Sequence, residues 1–346
     1  MGKMKALLVH GKGDLRYEGI EIPKYGEDEV LIRVRACGIC GSDIPRAMGD
    51  GARYYPIVLG HEFSGEIVNI GSEVENLKIG NKVIAAPLLP CGQCHYCKIA
   101  KPAMCENYGF LGSRQNGTMA EYVAVKAENV IKIPDYMDYD LAAMVEPVTV
   151  ALHGIERINL RAGETCIVFG AGTIGLLTLQ CLKALGAGKV YIVDIVKEKL
   201  DIAKKLGADE AIDPREVNLI DHIKKNGKPL FAFETAGTPV TQRQCIDVVD
   251  KLGEIVYIGT AHGKVELDGS TFEKILRGEL LITGSWMSYS GPYPGHEWNL
   301  AINLIKEGKI NLKPLITHSY GLKDGMKAFE TMVDKNENSI KIMLNI

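Results

Sequence analysis

Residues 164–209, "ETCIVFGAGTIGLLTLQCLKALGAGKVYIVDIVKEKLDIAKKLGAD", leave this chain few folds to choose from. "CIVFG" is a short apolar run, too short for a helix and typical of a strand buried on both faces. "TIGLLTLQCLKALG" has helical periodicity and stops at Gly186. "VYIVD" is the next strand. Later come "FAFETAG", "GEIVYIG" and "LLITGSW", each separated by helix-like or loop sequence. Repeated strand–helix units predict an α/β, doubly wound parallel sheet over residues 156–291.

The turn between the first strand and its helix is "GAGTIG", with Gly170, Gly172 and Gly175 in GxGxxG spacing around Thr173 and Ile174. Alone the pattern is weak, and a ligand-free glycine turn is the bland reading. Between a strand and a helix it gains chemistry. The first glycine permits the tight turn, the second lets a pyrophosphate approach the backbone, and the third allows close helix–strand packing. The helix start offers unpaired N–H groups to phosphates. Asp194 ends the second strand, where a carboxylate takes both ribose hydroxyls and repels a 2′-phosphate. That favours NAD over NADP. Lys199, on the next helix, could also reach the ribose.

The rest of the chain has a different character. At 346 residues it exceeds one ordinary core. Residues 4–9, 29–37 ("EVLIRVRAC"), 63–70 ("FSGEIVNI") and 119–125 ("MAEYVAV") read as strands punctuated by Gly and Pro. They predict a barrel-like domain over 1–155, completed by 292–346. There "EWNLAINLIKEG" is an amphipathic helix and "IKIMLNI" a strand returning to the first domain. The net charge of −3 gives no reason to expect nucleic acid or an anionic membrane as partner. No apolar run approaches the ~20 residues of a membrane span. The "MGKMKALLVHGKGDL" start does not read as a secretory signal, so the expected compartment is the cytoplasm.

Clustered thiols in reducing cytosol more often hold metal than disulfides. "PCGQCHYCKIAKPAMC" places Cys91, Cys94, Cys97 and Cys105 so that they can close a tetrahedron around one zinc ion. A site with four thiolates and no open position is structural. A redox CxxC or incidental thiols are the alternatives. Cys166 and Cys181 sit in apolar runs and read as core. A second donor set is dispersed: Cys40 in "RACGICGSD", His61 in "VLGHEFSG" and Glu146 in "MVEPVTVALHG". Singly, each is ordinary. Together, Cys, His and carboxylate suit a catalytic zinc with an open fourth position.

"GICGSD", "GHEFSG", the four-cysteine lobe, "EPVTVALHG" and "GAGTIG" together resemble the zinc-dependent medium-chain dehydrogenase family, which includes alcohol, sorbitol and threonine dehydrogenases. The likeness spans essentially the whole chain, and Glu146 matches the sorbitol-type branch. It implies a GroES-like catalytic domain built from both chain ends, a Rossmann domain, two zinc ions and NAD per chain, and a homodimer or homotetramer. It gives Cys40, His61 and Glu146 the zinc-ligand roles and Ser42 the hydroxyl that takes the substrate proton. Asp43 orients the histidine, and Glu62 exchanges onto the metal. Pro45 departs from the family, whose alcohol dehydrogenases carry a relay histidine there. The resemblance also implies a polyol phosphate as substrate. A phosphate calls for arginine: Arg114 with Ser113 in "LGSRQNG" is the first candidate, and Arg46 and Arg53 beside "GARYYP" are others. An unphosphorylated polyol, threonine or a simple secondary alcohol is the alternative substrate. A zinc- and NAD-binding protein without turnover is the alternative class.

Overall fold

The computed structural model describes residues 2–346. The chain forms two compact units. One takes the chain up to Glu146 together with Tyr289–Ile302 and Leu315–Ile346, and the other takes Pro147–Ser288 with Asn303–Pro314.

The first unit is mainly β. Its largest sheet runs in the order Val130–Lys132, Lys82–Ala85, Glu62–Ile70, Glu29–Gly38, Lys341–Asn345, Ile316–Gly321, and Tyr122–Lys126 also pairs with Glu29–Gly38. A second sheet joins Asp14–Glu21, Lys3–Gly11 and Ile57–Val58. Between them Val30, Ile32, Val34, Ile57, Ile67 and Phe329 are completely or almost completely buried. Glu29–Gly38 lies centrally, which explains its near-continuous apolar reading. The chain's last strand pairs antiparallel with it, as expected from "IKIMLNI".

Two local differences from the sequence reading have simple causes. The strand Asp14–Glu21 went unread because it is an edge strand with a mostly polar, half-exposed pattern. The expected strand 119–125 begins only at Tyr122. Met119 instead donates its N–H to Leu59 O, outside the ladder.

The second unit is a six-stranded parallel sheet. Its order is Glu210–Ile212, Val190–Val193, Cys166–Phe169, Phe231–Glu234, Glu254–Tyr257, Leu281–Gly284. The order reverses direction on either side of Cys166–Phe169, the topological switch point at which such sheets take ligands. Phe169, Phe231, Phe233 and Tyr191 fill the sheet, and Cys166 and Cys181 are fully buried as read. The helix after the first strand runs Thr173–Ala184, and Gly186 ends it at φ +92°. No helix among the described residues is long and apolar enough to cross a membrane.

Candidate functional sites

Strand register assembles the dispersed donor set. Gly38 pairs with Glu62, so the chain leaving one strand toward Cys40 and the chain entering the next from His61 meet at one sheet end. Met343 pairs with the same Gly38, which brings Lys341 to that end as well. Cys40 then caps a short turn, Gly41–Asp43, and the Asp43 carboxylate accepts the Cys40 N–H at 3.1 Å. Ligand atoms of Cys40, His61 and Glu62 all lie within 4.8 Å of one another.

The surroundings favour a cation. Asp43 is fully buried, and its Oδ1 has no hydrogen-bond partner. His61 Nδ1 and Arg46 Nη1 each lie 3.7 Å from that oxygen. Burial pushes the Cys40 thiol and the Asp43 carboxyl upward, and pushes Glu146 up to about 7. A divalent ion would reverse these penalties by stabilising the charged forms. Thiol, imidazole and carboxylate are a zinc donor set, so the residues fit the metal.

Glu62 is already engaged. The Lys341 ammonium donates to its carboxylate and to Ile39 O (3.1 Å), all in buried surroundings. Burial by itself would lower the Lys341 pKa, but the neighbouring carboxylates, Glu62 first, raise it overall. Sequence reasoning missed Lys341. A lone lysine opening a terminal strand carries no motif, and only the register shows where it points.

Ser42 donates to Cys40 Sγ at 3.3 Å, while Arg46 Nη1 donates to Ser42 O (2.6 Å) and Oγ (3.1 Å). Pro45 sits in the first turn of the next helix and offers no titratable group. Arg114 and Ser113 lie on a loop laid against Gly60, the residue before His61. A Cβ at Gly117 would meet Gly60 O at 2.2 Å, and one at Gly112 would meet it at 2.6 Å. Phe110 stands edge-on to His61 with ring centroids 5.4 Å apart. Arg114 stacks over Tyr108 at 3.8 Å and donates its backbone N–H to Phe110 O. Arg53 is exposed.

The four-cysteine lobe closes as its spacing suggests. The sulfurs of Cys91, Cys94, Cys97 and Cys105 lie within 4.8 Å of one another, and all are free thiols. The backbone N–H of Cys97 draws the Cys94 thiol down to about 6, while burial pushes Cys97 up to about 12. Backbone donors to sulfur are what thiolate ligands use, and four soft donors at this separation fit one zinc.

In the parallel-sheet unit, the glycine turn has the shape its spacing requires. Gly170 adopts φ +94°. A Cβ on Gly175 would sit 1.8 Å from Gly170 O, whereas one on Gly172 would meet nothing within 4 Å. The backbone at Gly172 is therefore open to a ligand that a side chain would obstruct, which fits a pyrophosphate. Asp194 accepts the N–H of Ala171 (2.6 Å) and of Val196 (2.8 Å), tying the turn to the second strand's end. Lys199 is half-buried on the following helix, which starts at Lys197. Sequence reasoning overlooked Arg215. Its guanidinium bonds Ile195 O beside Asp194, but Asp213 grips it through both oxygens, the contact that most raises its pKa.

Comparison with known proteins agrees with this architecture. Residues 26–135 match the alcohol dehydrogenase GroES-like domain, and residues 173–307 match the zinc-binding dehydrogenase domain. The chain is 41% identical over 322 residues to galactitol 1-phosphate 5-dehydrogenase of Escherichia coli K12, covering 91% of this chain and 92% of that one. It is 31% identical over 350 residues to sorbitol dehydrogenase of Bacillus subtilis, covering 99% and 97%. The crystal structure of galactitol-1-phosphate dehydrogenase from Escherichia coli superposes with a TM-score of 0.95 at 38% identity, covering 99% of this chain and all of that one.

Proposed function

The chain belongs to the zinc-binding alcohol dehydrogenase family and is an oxidoreductase. From that premise we propose that it oxidises a secondary hydroxyl of a polyol phosphate, converting galactitol 1-phosphate and NAD⁺ to tagatose 6-phosphate, NADH and a proton. The observation that carries the reading is the cluster of Cys40, His61 and Glu62 at one sheet end, with Lys341 on Glu62 and Arg46 on Ser42. The identity to the galactitol 1-phosphate enzyme supports the specific substrate.

Cys40, His61 and Glu146 would hold a zinc ion that supplies Lewis acidity at the alcohol, and the glycine turn would hold the NAD that supplies the hydride acceptor. The chain's own groups do the rest. Asp43, whose Oδ1 lies 3.7 Å from His61 Nδ1, would orient the imidazole as a ligand. Lys341 holds the Glu62 carboxylate, which stands beside Cys40 and His61 and would be the group that exchanges onto a metal there. Ser42 takes the substrate proton. Arg46 donates to its hydroxyl and a guanidinium cannot accept a proton, so the proton leaves exposed Ser42 to water. Arg114 and Ser113, on the loop against Gly60, and Arg46 beside Ser42 are the candidates to receive the phosphate. Cys91, Cys94, Cys97 and Cys105 hold the structural zinc.

Asp194 is proposed to select NAD, with Arg215 neutralised by Asp213. A wild-type preference for NADP would contradict this. A cytoplasmic location is proposed, and nine cysteines without a disulfide among them support it. A homodimer is proposed from the uncovered edge of the parallel sheet. The test of function is NAD reduction with a panel of polyols, polyol phosphates, threonine and simple secondary alcohols, before and after chelation of the metal. Galactitol 1-phosphate should give the highest kcat/KM. A free polyol used equally well would remove the phosphate claim, and no turnover on any alcohol would remove the enzymatic one.

A further inference from the structure

We infer that Arg46 is the residue that makes this site prefer an anionic substrate, holding the phosphate on the open edge of its guanidinium. The inference rests on the phosphate reading above and goes past it by assigning the discriminating contact.

The Arg46 side chain is fixed at one nitrogen only. Nη1 donates to both Ser42 O and Ser42 Oγ, at 2.6 and 3.1 Å. Ser42 in turn touches Cys40 Sγ. The guanidinium is thereby tied to the hydroxyl nearest the metal-ligand cluster. Its other two nitrogens, Nε and Nη2, have no partner among the described residues. Those two share the edge that forms paired hydrogen bonds with a carboxylate or phosphate. Among the described residues Asp43 is the one carboxylate within 4.0 Å of the group, and it faces Nη1 at 3.7 Å. The side chain keeps 26% exposure, enough for a ligand to reach it and little enough to reduce solvent screening.

The other arginines of the rim are less suited. Arg114 already spends one face on Tyr108, and Arg53 is exposed. A purely local role for Arg46, bracing the Ser42 turn, accounts for Nη1. It leaves the Nε–Nη2 edge without a use.

The decisive quantity is the ratio of kcat/KM for galactitol 1-phosphate to that for galactitol. Any general damage to the Ser42 turn acts on both substrates and cancels in this ratio. Arg46→Gln should lower the ratio by about ten- to 150-fold, mainly through a higher KM for the phosphate. Arg46→Lys keeps the charge without the paired geometry and should lower it by a smaller factor. It also serves should the Gln variant fold poorly. Arg114→Gln should move the ratio less than Arg46→Gln. If the wild-type ratio is high and both Arg46 variants preserve it, this inference is overturned while the phosphate reading stands. It is overturned equally if Arg114→Gln alone collapses the ratio. A wild-type ratio near one overturns the phosphate reading itself, and the inference with it.

Discussion

Lys341 is the side chain on which the charge balance around the metal cluster turns. It places a buried ammonium among Glu62, Cys40 and Glu146. Removing one partner of a buried pair leaves an uncompensated charge and costs about 3–5 kcal/mol, while removing both costs much less. Lys341→Met should therefore lower the stability of the zinc-free protein by that order, and Lys341→Met with Glu62→Gln should recover most of it. Additive losses in chemical unfolding would show that the pair is not coupled. Glu146 gives a second handle. Burial raises its carboxyl from 4.5 to about 7, a rise worth about 3 kcal/mol. Between those pH values the folded chain holds a proton that the unfolded chain has released. The contribution is thus full below 4.5 and lost as pH rises through 7. In zinc-free protein, Glu146→Gln should become more stable relative to wild type by about 3 kcal/mol between pH 5 and pH 8. Urea midpoints that keep a constant gap across this range would refute the shift.

At the scale of elements, the lobe 90–105 makes a local prediction. Its regular structure amounts to the short helix His95–Lys98 and a turn at Pro102–Met104, too little to bury a core of its own. Metal ligation must then supply the lobe's folding energy. Cys97→Ser should release about one zinc per chain and raise proteolytic sensitivity within 90–105, leaving Cys40 and His61 able to hold theirs. Unchanged zinc content by elemental analysis would end the assignment. This lobe and the glycine turn were legible in sequence because their geometry is set by covalent spacing. Three cysteines at CxxC intervals, or three glycines in six residues, fix relative positions without knowledge of the rest. The donor set at Cys40 was legible from residue type and the family resemblance, with Glu146 as its carboxylate, but the Gly38–Glu62–Met343 register that sets Glu62 beside Cys40 and His61 was not. Lys341 and the Arg46–Ser42 contact stayed hidden for the same reason. They arise from pairing between segments that lie far apart in the chain, or from a rotamer, and neither leaves a pattern.

At the scale of the whole molecule, the parallel sheet ends on an edge that a lone subunit would leave exposed. Among the described residues Leu281–Gly284 has Glu254–Tyr257 as its one strand partner, so its other edge has no strand beside it. Leu281 and Ile282 are neighbours in a strand and so point to opposite faces, yet they are 64% and 40% exposed. Trp286 just beyond is 54% exposed, and Phe272 and Leu276 on the preceding helix are 60% and 64% exposed. The strand "LITG" has none of the lysine, proline or bulge that protects a solvent-facing edge. Exposed apolar side chains on both faces of an open sheet edge are the surface an interface would cover. A second copy of this chain would satisfy it by continuing the sheet across a two-fold axis, and this isologous contact is the one proposed for the homodimer. Ile282→Lys places a charge on that edge and should convert the dimer to monomer at micromolar concentration. The glycine turn and the metal cluster, which lie elsewhere in the chain, should be untouched. Analytical ultracentrifugation of wild type and variant, with zinc content as the control for folding, decides the matter. A monomeric wild type, or a variant that remains dimeric, would show that this edge is not where the copies meet.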